Sequence, residues 1–461
     1  MDAATTTPTP PTPPTPPTPP TPPHQPPEAV SFGAALAYWL KLGFISFGGP
    51  AGQIAIMHQE LVEKRRWISE RRFLHALNYC MVLPGPEAQQ LATYIGWLLH
   101  GVRGGIVAGG LFVLPSLFIL IGLTWVYLRF GDVPLVAGLF YGIKPAVTAI
   151  VLFAAWRIGS RALKNAWLWG ISIASFTAIF ALDLPFPLIV LAAGIIGYFG
   201  GRLLPDQFAI GGGHGANAKD YGPALIDDDT PPRTRYSTAM LVRITAIFCA
   251  LWLAAMSALV WSQGWDATLS QMGWFFTKAA FLTFGGAYAV LPYVYQASVE
   301  QFGWLTAAQM IDGLALGETT PGPLIMIVAF VGFVGAWTQQ VFGDSLFLAG
   351  CVGAAVATFF TFLPSFLFIF AGAPLIEGTH GKLAFTAPLT AITAAVVGVI
   401  VNLAVFFAWH VFWPEGFSGT VQWFAMLIGT AAFVALLRYK AGVVSVISAC
   451  AAAGLAWTLF S

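Results

Sequence analysis

Charge is what this sequence has least of. Asp, Glu, Lys and Arg make up only 9% of its 461 residues against 57% hydrophobic, and the mean hydropathy is +0.75. About a quarter of an ordinary soluble chain is charged, so a soluble globular domain is excluded. The net charge of +1 leaves no basic excess, and a nucleic-acid partner, which needs a clustered basic face, is not expected. Cysteine is scarce as well. Cys80, Cys249, Cys351 and Cys450 stand singly in apolar stretches without Cys-x-x-Cys spacing, as small buried hydrophobes do. The seven histidines are scattered. His-Glu-x-x-His, Gly-x-Ser-x-Gly and Gly-x-x-x-x-Gly-Lys-Ser/Thr are missing, so metalloprotease, serine-hydrolase and ATP-driven chemistry have no support. The chain reads as no enzyme, with no metal site and no cofactor. No basic-then-apolar leader precedes residue 30, so no cleavable signal peptide is expected.

What the sequence does have is long apolar runs. Stretches near 31–48, 71–98, 104–130, 133–158, 165–182, 184–201, 239–262, 268–285, 308–336, 344–371, 384–410, 419–437 and 441–460 each approach the ~20 residues a helix needs to cross hydrocarbon. The expected fold is an all-α polytopic membrane protein of about 13 transmembrane segments, in two homologous, inverted halves with broken helices. Residues 1–30 repeat Thr-Pro-Pro with the period of a polyproline II helix and form a stiff tail outside any core.

The halves are visible as a repeat. A shift of 237 positions aligns 41–86 with 278–323 without a gap, and 13 of the 46 pairs are identical. Lys41 matches Lys278, Phe47-Gly48-Gly49 matches Phe284-Gly285-Gly286, Trp67 matches Trp304, and Pro84-Gly85-Pro86 matches Pro321-Gly322-Pro323. Further on, Leu114-Pro115-Ser116 pairs with Leu363-Pro364-Ser365 at an offset of 249, so about a dozen residues are inserted around "GAWTQQVFGDSLF". The organisation expected is a first repeat over 31–201, a polar linker over 202–238, a connecting helix over 239–262 and a second repeat over 263–461. Six spans plus the connecting one make seven, so the second repeat starts from the opposite side, as in many secondary transporters.

Loop charges agree with an inside amino terminus, because Lys and Arg favour the cytoplasm in short loops: the inside loops hold Arg103; Arg157, Arg161 and Lys164; Arg202, Lys219, Arg233 and Arg235; Lys382; and Arg438 and Lys440, and the outside loops only Arg129. One stretch disobeys. "EKRRWISERR", residues 63–72, falls on the wrong face of a thirteen-span chain, unless 71–98 is re-entrant or the cluster attracts an anion.

Phe-Gly-Gly and Pro-Gly-Pro break the apolar runs. Irregular backbone at membrane depth survives only where protein or a water-filled cavity covers it. Close packing and kinks are the ordinary uses of such residues, but recurrence at the same spacing in both halves points to a transport site. Pro86 and Pro323 suit the first position of a new helix, which leaves the following amides, 87–89 and 324–326, free to face an anion. Lys144 is a weaker third candidate cation, since its match in the other half is Thr393; Lys41 and Lys278 precede the breaks within apolar runs. They read either as counter-charges to an anion or as cations that snorkel or pair with Glu87, Asp312 or Glu318. Glu87 and Glu318 are candidates for a coupling proton. Ser46, Gln89, Thr319 and Thr320 are candidate donors to oxyanion oxygens.

With these residues in view, the chain resembles the chromate ion transporter family in its long, two-domain form. The resemblance rests on "LKLGFISFGGPAGQIAIMHQELVEKRRWISERRFLHALNYCMVLPGPEAQQ" and on "FLTFGGAYAVLPYV", "GWLTAAQMIDGLALGETTPGP" and "FLPSF". It covers about residues 31 to 460. It implies two antiparallel halves that export chromate across the inner membrane, with sulfate as a competing analogue. It places motif residues at Lys41, Phe47, Gly48, Gly49, Pro50, Gln53, Trp67, Pro84, Gly85 and Pro86, and at Glu318 with Pro321, Gly322 and Pro323. Phe284, Gly285, Gly286 and Trp304 follow by the internal match. Pro50 is matched by Ala287, so a less sharp second break is expected. The partners expected are a small oxyanion and the lipid bilayer, and a homodimer is left open.

Overall fold

The computed structural model describes residues 27–131, 133–208, 221–231, 233, 237–377, 386–416 and 419–460. The Thr-Pro-Pro repeats and most of the polar linker lie outside these. Among the described residues there is no β-strand, only an isolated bridge between Ile68 and Ile226. The chain forms α1 (Phe32–Ile45), α2 (Gly49–His58, continued by a π turn, Gln59–Lys64), α3 (Glu70–Val82), α4 (Glu87–Phe130), α5 (Pro134–Ala162), α6 (Ala166–Leu182), α7 (Phe186–Leu203) and α8 (Pro205–Phe208). After the linker come α9 (Thr238–Gln263), α10 (Thr268–Leu282), α11 (Ala287–Tyr295, continued by a π turn, Gln296–Gln301) and α12 (Ala307–Thr319). A 3-10 turn at Leu324–Met326 then leads into α13 (Ile327–Thr338), followed by α14 (Leu346–Glu377), α15 (Thr386–Phe412), α16 (Trp423–Arg438) and α17 (Val443–Phe460). Side chains cap the starts: Ser31, Ser69, Asn165, Ser237 and Thr306 each accept an amide proton from the first turn of their helix.

The repeat order α1 to α7 recurs as α10 to α17, with one difference that the insertion explains. The 44 residues of α4 are two helices, because His100 and Gly101 leave helical geometry, Gly101 at φ +68°. Gly96 lies so close to Gly104 that a Cβ there would come within 2.6 Å of the Gly104 carbonyl oxygen. The chain therefore doubles back on itself. In the second half α13 and α14 make the same tight hairpin, Gly332 against Gly353, with residues 339–345 added at the bend.

Contacts along the outgoing limb of α4 show how deep α1 goes. At its start the His100 ring meets the Val30 carbonyl at 2.9 Å and Phe32 at 5.5 Å, while near its end Gly43 abuts Leu111 and Pro115. From His100 to Pro115 is about 22 Å of helix, half the ~43 Å of the outgoing limb. So α1 stops half-way. α2 and its π turn head back, bringing Trp67 onto Tyr38 of α1 at 5.4 Å and His58 to Glu70 at 2.5 Å. α3 enters again, and the incoming limb of α4 returns to His100. The second half repeats these two hairpins with α10–α11 and α12–α13.

The long limbs of α4 and α14 run antiparallel, Gly105 beside Phe370 and Gly109 beside Phe366. Arg72 is bound to Glu377, so the end of α14 lies with the start of α3. Hairpins of the first half thus enter from one end of the molecule and those of the second from the other. Among the described residues nine helices run from end to end: the outgoing limb of α4, then α5, α6, α7, α9, α14, α15, α16 and α17. Seven of them are long and apolar enough to cross a membrane. α6 and α16, of 17 and 16 residues, are shorter.

This corrects the expected thirteen crossings. The apolar stretches at 31–48, 71–98, 268–285 and 308–336 do not cross; each supplies limbs that turn back at mid-depth, because glycine and proline stop the helix there. Two crossings vanish from each half, so the parity that inverts the second repeat survives. It also removes the charge anomaly. Residues 59–72 return to the end that carries Arg103, Arg161, Lys164, Arg202, Arg233, Arg438 and Lys440. The opposite end holds Arg129 among Asp183, Asp266, Glu300, Asp344 and Glu415. The loop charges at Lys219, Arg235 and Lys382 lie outside the described residues.

Helices α5, α6, α7, α15, α16 and α17 pack into one bundle, with α5 and α15 at its centre, and the hairpins with α4, α9 and α14 form a second layer. The layers do not meet symmetrically. On the acidic side α11 packs on α15, and α12 on α5 and α17. On the basic side, among the described residues, α2 and α3 pack on α4 and not comparably on the bundle.

Candidate functional site

Two hydrogen bonds tie the broken segments together across the repeat. The Gly85 amide donates to the Thr283 carbonyl at 2.7 Å, and the Gly322 amide to the Ser46 carbonyl at 2.8 Å. Ser46 and Thr283 are repeat equivalents, as are Gly85 and Gly322, so each Pro-Gly-Pro is bonded to the Phe-Gly-Gly of the other half. Glycine is required here. Gly85 sits at φ +123° and Gly322 at φ +107°, and a Cβ on Gly322 would come 2.7 Å from Ser116 Cβ, one on Gly85 2.6 Å from Ser365 Oγ. Ser116 and Ser365 are themselves repeat equivalents on the long limbs. All four breaks therefore lie at one level. Gln53 joins them further, donating to the Gly322 carbonyl at 2.6 Å and to the Ser46 carbonyl at 3.3 Å.

The Phe-Gly-Gly turns carry consecutive glycines at positive φ: Gly48 +88° and Gly49 +69°, Gly285 +80° and Gly286 +94°. Both breaks are sharp, which corrects the expectation drawn from Ala287, since the glycines and not Pro50 make the turn. A Cβ on Gly49 or Gly286 would meet nothing within 4 Å, and Phe47 and Gly48 are exposed. The breaks open onto unfilled space. Pro86 and Pro323 stand one place before the expected position, as the N-caps of α4 and of the 3-10 turn. Four helices, α2, α4, α11 and the one led in by Leu324, begin at this level with first-turn amides that have no partner in their own helix. The Ser46 and Thr283 carbonyls that would oppose an anion are already taken by the glycine amides.

Other expected residues are placed differently. Lys41 lies on the exposed face of α1 beside Leu40 and Phe44, opposite the stripe that packs on α4. Lys278 lies half-buried with its ammonium 5.8 Å from the Trp274 ring. Neither meets the breaks. Trp67 packs under Arg65 and against Tyr38, and Trp304 stacks on Phe302 at 4.6 Å, both far along the returning limbs. The candidate donors are engaged in their own helices: Ser46 donates to the Leu42 carbonyl at 2.6 Å, Thr319 to those of Leu316 and Ala315, and Thr320 to that of Gly317. Gln89 donates to Thr93 at 3.1 Å. Phe284 is half-buried next to Gly285.

The two acids differ. Glu87 is half-buried at the first position of α4 without a hydrogen-bond or ion-pair partner among the described residues. Glu318 accepts the Tyr288 hydroxyl, and Arg157 stands close enough to act on its charge. Two cations stand differently from the sequence reading, which ranks Lys144 only a weaker third candidate. Lys144 pairs with Asp312 at 3.5 Å, with the Tyr127 hydroxyl on the same carboxylate at 2.9 Å, although the pairing partner considered for Asp312 was Lys41 or Lys278. Arg157 passed for a loop charge. Single conserved-looking letters give no such signal, because their partners are distant in sequence.

Comparison with known proteins adds to this geometry. Residues 34–198 and 270–455 match the family described as Chromate transporter. The chain belongs to the chromate transporter family. The two matched regions are the two repeats. A chromate transport protein of Cupriavidus metallidurans is 30% identical over 83% of this chain and 87% of its own length. One of Pseudomonas aeruginosa is 32% identical over 81% of this chain and 80% of its own. An uncharacterized transporter of Bacillus subtilis, YwrA, is 29% identical over 35% of this chain but 90% of its own, the length of a single repeat. No solved structure matches the chain. This chromate transporter family member is an integral, multi-pass membrane protein.

Proposed function

We propose that the chain is a secondary transporter, and no enzyme, that exports chromate across the cytoplasmic (inner) membrane. The observation that carries this reading is the reciprocal bonding of Gly85 to Thr283 and Gly322 to Ser46, which gathers four helix N-termini at mid-depth. Each such terminus contributes ~0.3–1 kcal/mol to an anion, and up to ~2 when partly buried. The named relatives support chromate as cargo. The repeats are residues 31–201 and 263–461, joined by the linker 202–238 and the helix 239–262, and they work as inverted units. By the positive-inside rule the end with residues 59–72 faces the cytoplasm.

Membrane potential drives export. A dianion leaving an inside-negative cell gains ~4.6 kcal/mol per 100 mV. Glu87, half-buried and unpaired among the described residues, is the better placed of the two acids to exchange a proton, since Glu318 is already held by Tyr288. Sulfate has the same charge and shape as chromate and competes for the same backbone amides. Proteoliposomes loaded with chromate and given an imposed potential should release it faster than empty-protein controls, with external sulfate slowing exchange. Release at the rate of protein-free vesicles would end the proposal.

A further inference from the structure

The asymmetry between the layers singles out one cation. In the closed, acidic half Tyr295 of α11 rests on Phe406 of α15, ring centroids 4.4 Å apart. Their repeat equivalents are His58 and Arg157. These do not meet: His58 is bound to Glu63 at 3.3 Å and Glu70 at 2.5 Å instead, and α2 has no seat on α5. Arg157 therefore puts a charge where the other half has a ring packed under Tyr295. It is half-buried, its side chain has no hydrogen bond or ion pair among the described residues, and its charge reaches Glu318 at the tip of α12. Four cations of the basic end are held by acids: Lys64 and Arg65 by Glu60, Arg71 by Asp228, Arg72 by Glu377.

We propose that Arg157 is the residue that receives the dianion as it passes from the basic face to the broken helices. A guanidinium presents a fork of donors matched to two oxygens of a tetrahedral oxyanion, which a lysine cannot offer. Arg157 makes no ion pair with Glu318 among the described residues, so its half-buried guanidinium keeps donors for an incoming anion. Lys144 lies thirteen residues back on the same helix, about 20 Å towards the acidic face. It is held by Asp312 while this side is closed. Among the described residues Arg157 is thus the half-buried unpaired cation of α5 in this state and Lys144 the bound one, while Arg161 is exposed in the last turn.

The inference rests on the transport reading, and the full chain in proteoliposomes tests both. Arg157→Gln should raise the half-saturating chromate concentration tenfold or more, and Arg157→Lys should raise it less. In a chain whose four native cysteines are serine, Arg157→Cys should regain affinity with a cationic, membrane-impermeant methanethiosulfonate reagent but not with its sulfonate analogue, and only when the reagent is on the basic face. This second arm is read within one folded preparation. An unchanged half-saturating concentration in Arg157→Gln, equal effects of the two reagents, or reaction only from the acidic face overturns the role of Arg157 while wild-type transport stands. Absence of wild-type chromate transport removes the transport reading, and the role of Arg157 with it.

Discussion

Single atoms decide whether the breaks can form. Gly322 has no room for a methyl group because Ser116 Cβ fills the place, and its φ of +107° is strained for any other residue. Gly322→Ala should abolish chromate flux while the protein still inserts, and adding Ser116→Gly should restore part of it by removing the clash. Gly49→Ala makes the useful comparison. With nothing within 4 Å of its Cβ, it meets only the backbone penalty of ~1–2 kcal/mol at φ +69°, so flux should fall far less. Equal losses in both variants would show that packing against Ser116 is immaterial. The sequence marked these glycines through their recurrence. It did not show which serine each one touches, since Gly322 and Ser116 are two hundred residues apart on opposite repeats.

At the scale of elements, polar ties of two kinds hold the helices. Arg72, Glu377 and Tyr94 join α3, α14 and α4 within one layer, the Tyr94 hydroxyl donating to Glu377 at 2.5 Å. The Glu377 side chain is 3% exposed, so Arg72→Ala leaves a buried carboxylate without its cation and should destabilise the protein by ~3–5 kcal/mol. Thermal unfolding in detergent would register this as a clear fall in midpoint, and an unchanged midpoint would contradict it. Lys144 and Asp312 join different layers, α5 of the bundle to α12 of the hairpins. A tie that must open during transport affects turnover. Lys144→Met should lower flux about tenfold or more, and exchanging the two, Lys144→Asp with Asp312→Lys, should recover part of the loss; a swap no better than the single change would exclude direct pairing. Lys41 and Lys278 looked stronger than either from spacing alone. Periodicity locates a residue along a helix, but the face it presents depends on which neighbour that helix chooses.

For the whole molecule, the two hairpins per half fix which loops share a face. Thirteen crossings would put residue 64 opposite the polar linker, whereas the structure puts it on the same side, with Ser69 bonded to Asp228 at 2.6 Å. Lys64→Cys and Asp228→Cys, each in the cysteine-free chain, should both react with an impermeant thiol reagent from the cytoplasmic face, and Asp266→Cys only from the other. Labelling of residue 64 with residue 266 would restore the thirteen-crossing topology.

Composition and repetition by themselves determined that this is a helical membrane protein built of two copies, with its irregular backbone at Phe-Gly-Gly and Pro-Gly-Pro. Burial in hydrocarbon demands apolar helices, and a duplication preserves spacing, so both facts are written locally along the chain. Only the tertiary structure decided that four apolar stretches turn back, that each break is closed by the opposite repeat, and that Phe406, the repeat counterpart of Arg157, packs under Tyr295. A half-helix and a full crossing are equally apolar. What separates them is a backbone hydrogen bond to a partner hundreds of residues away.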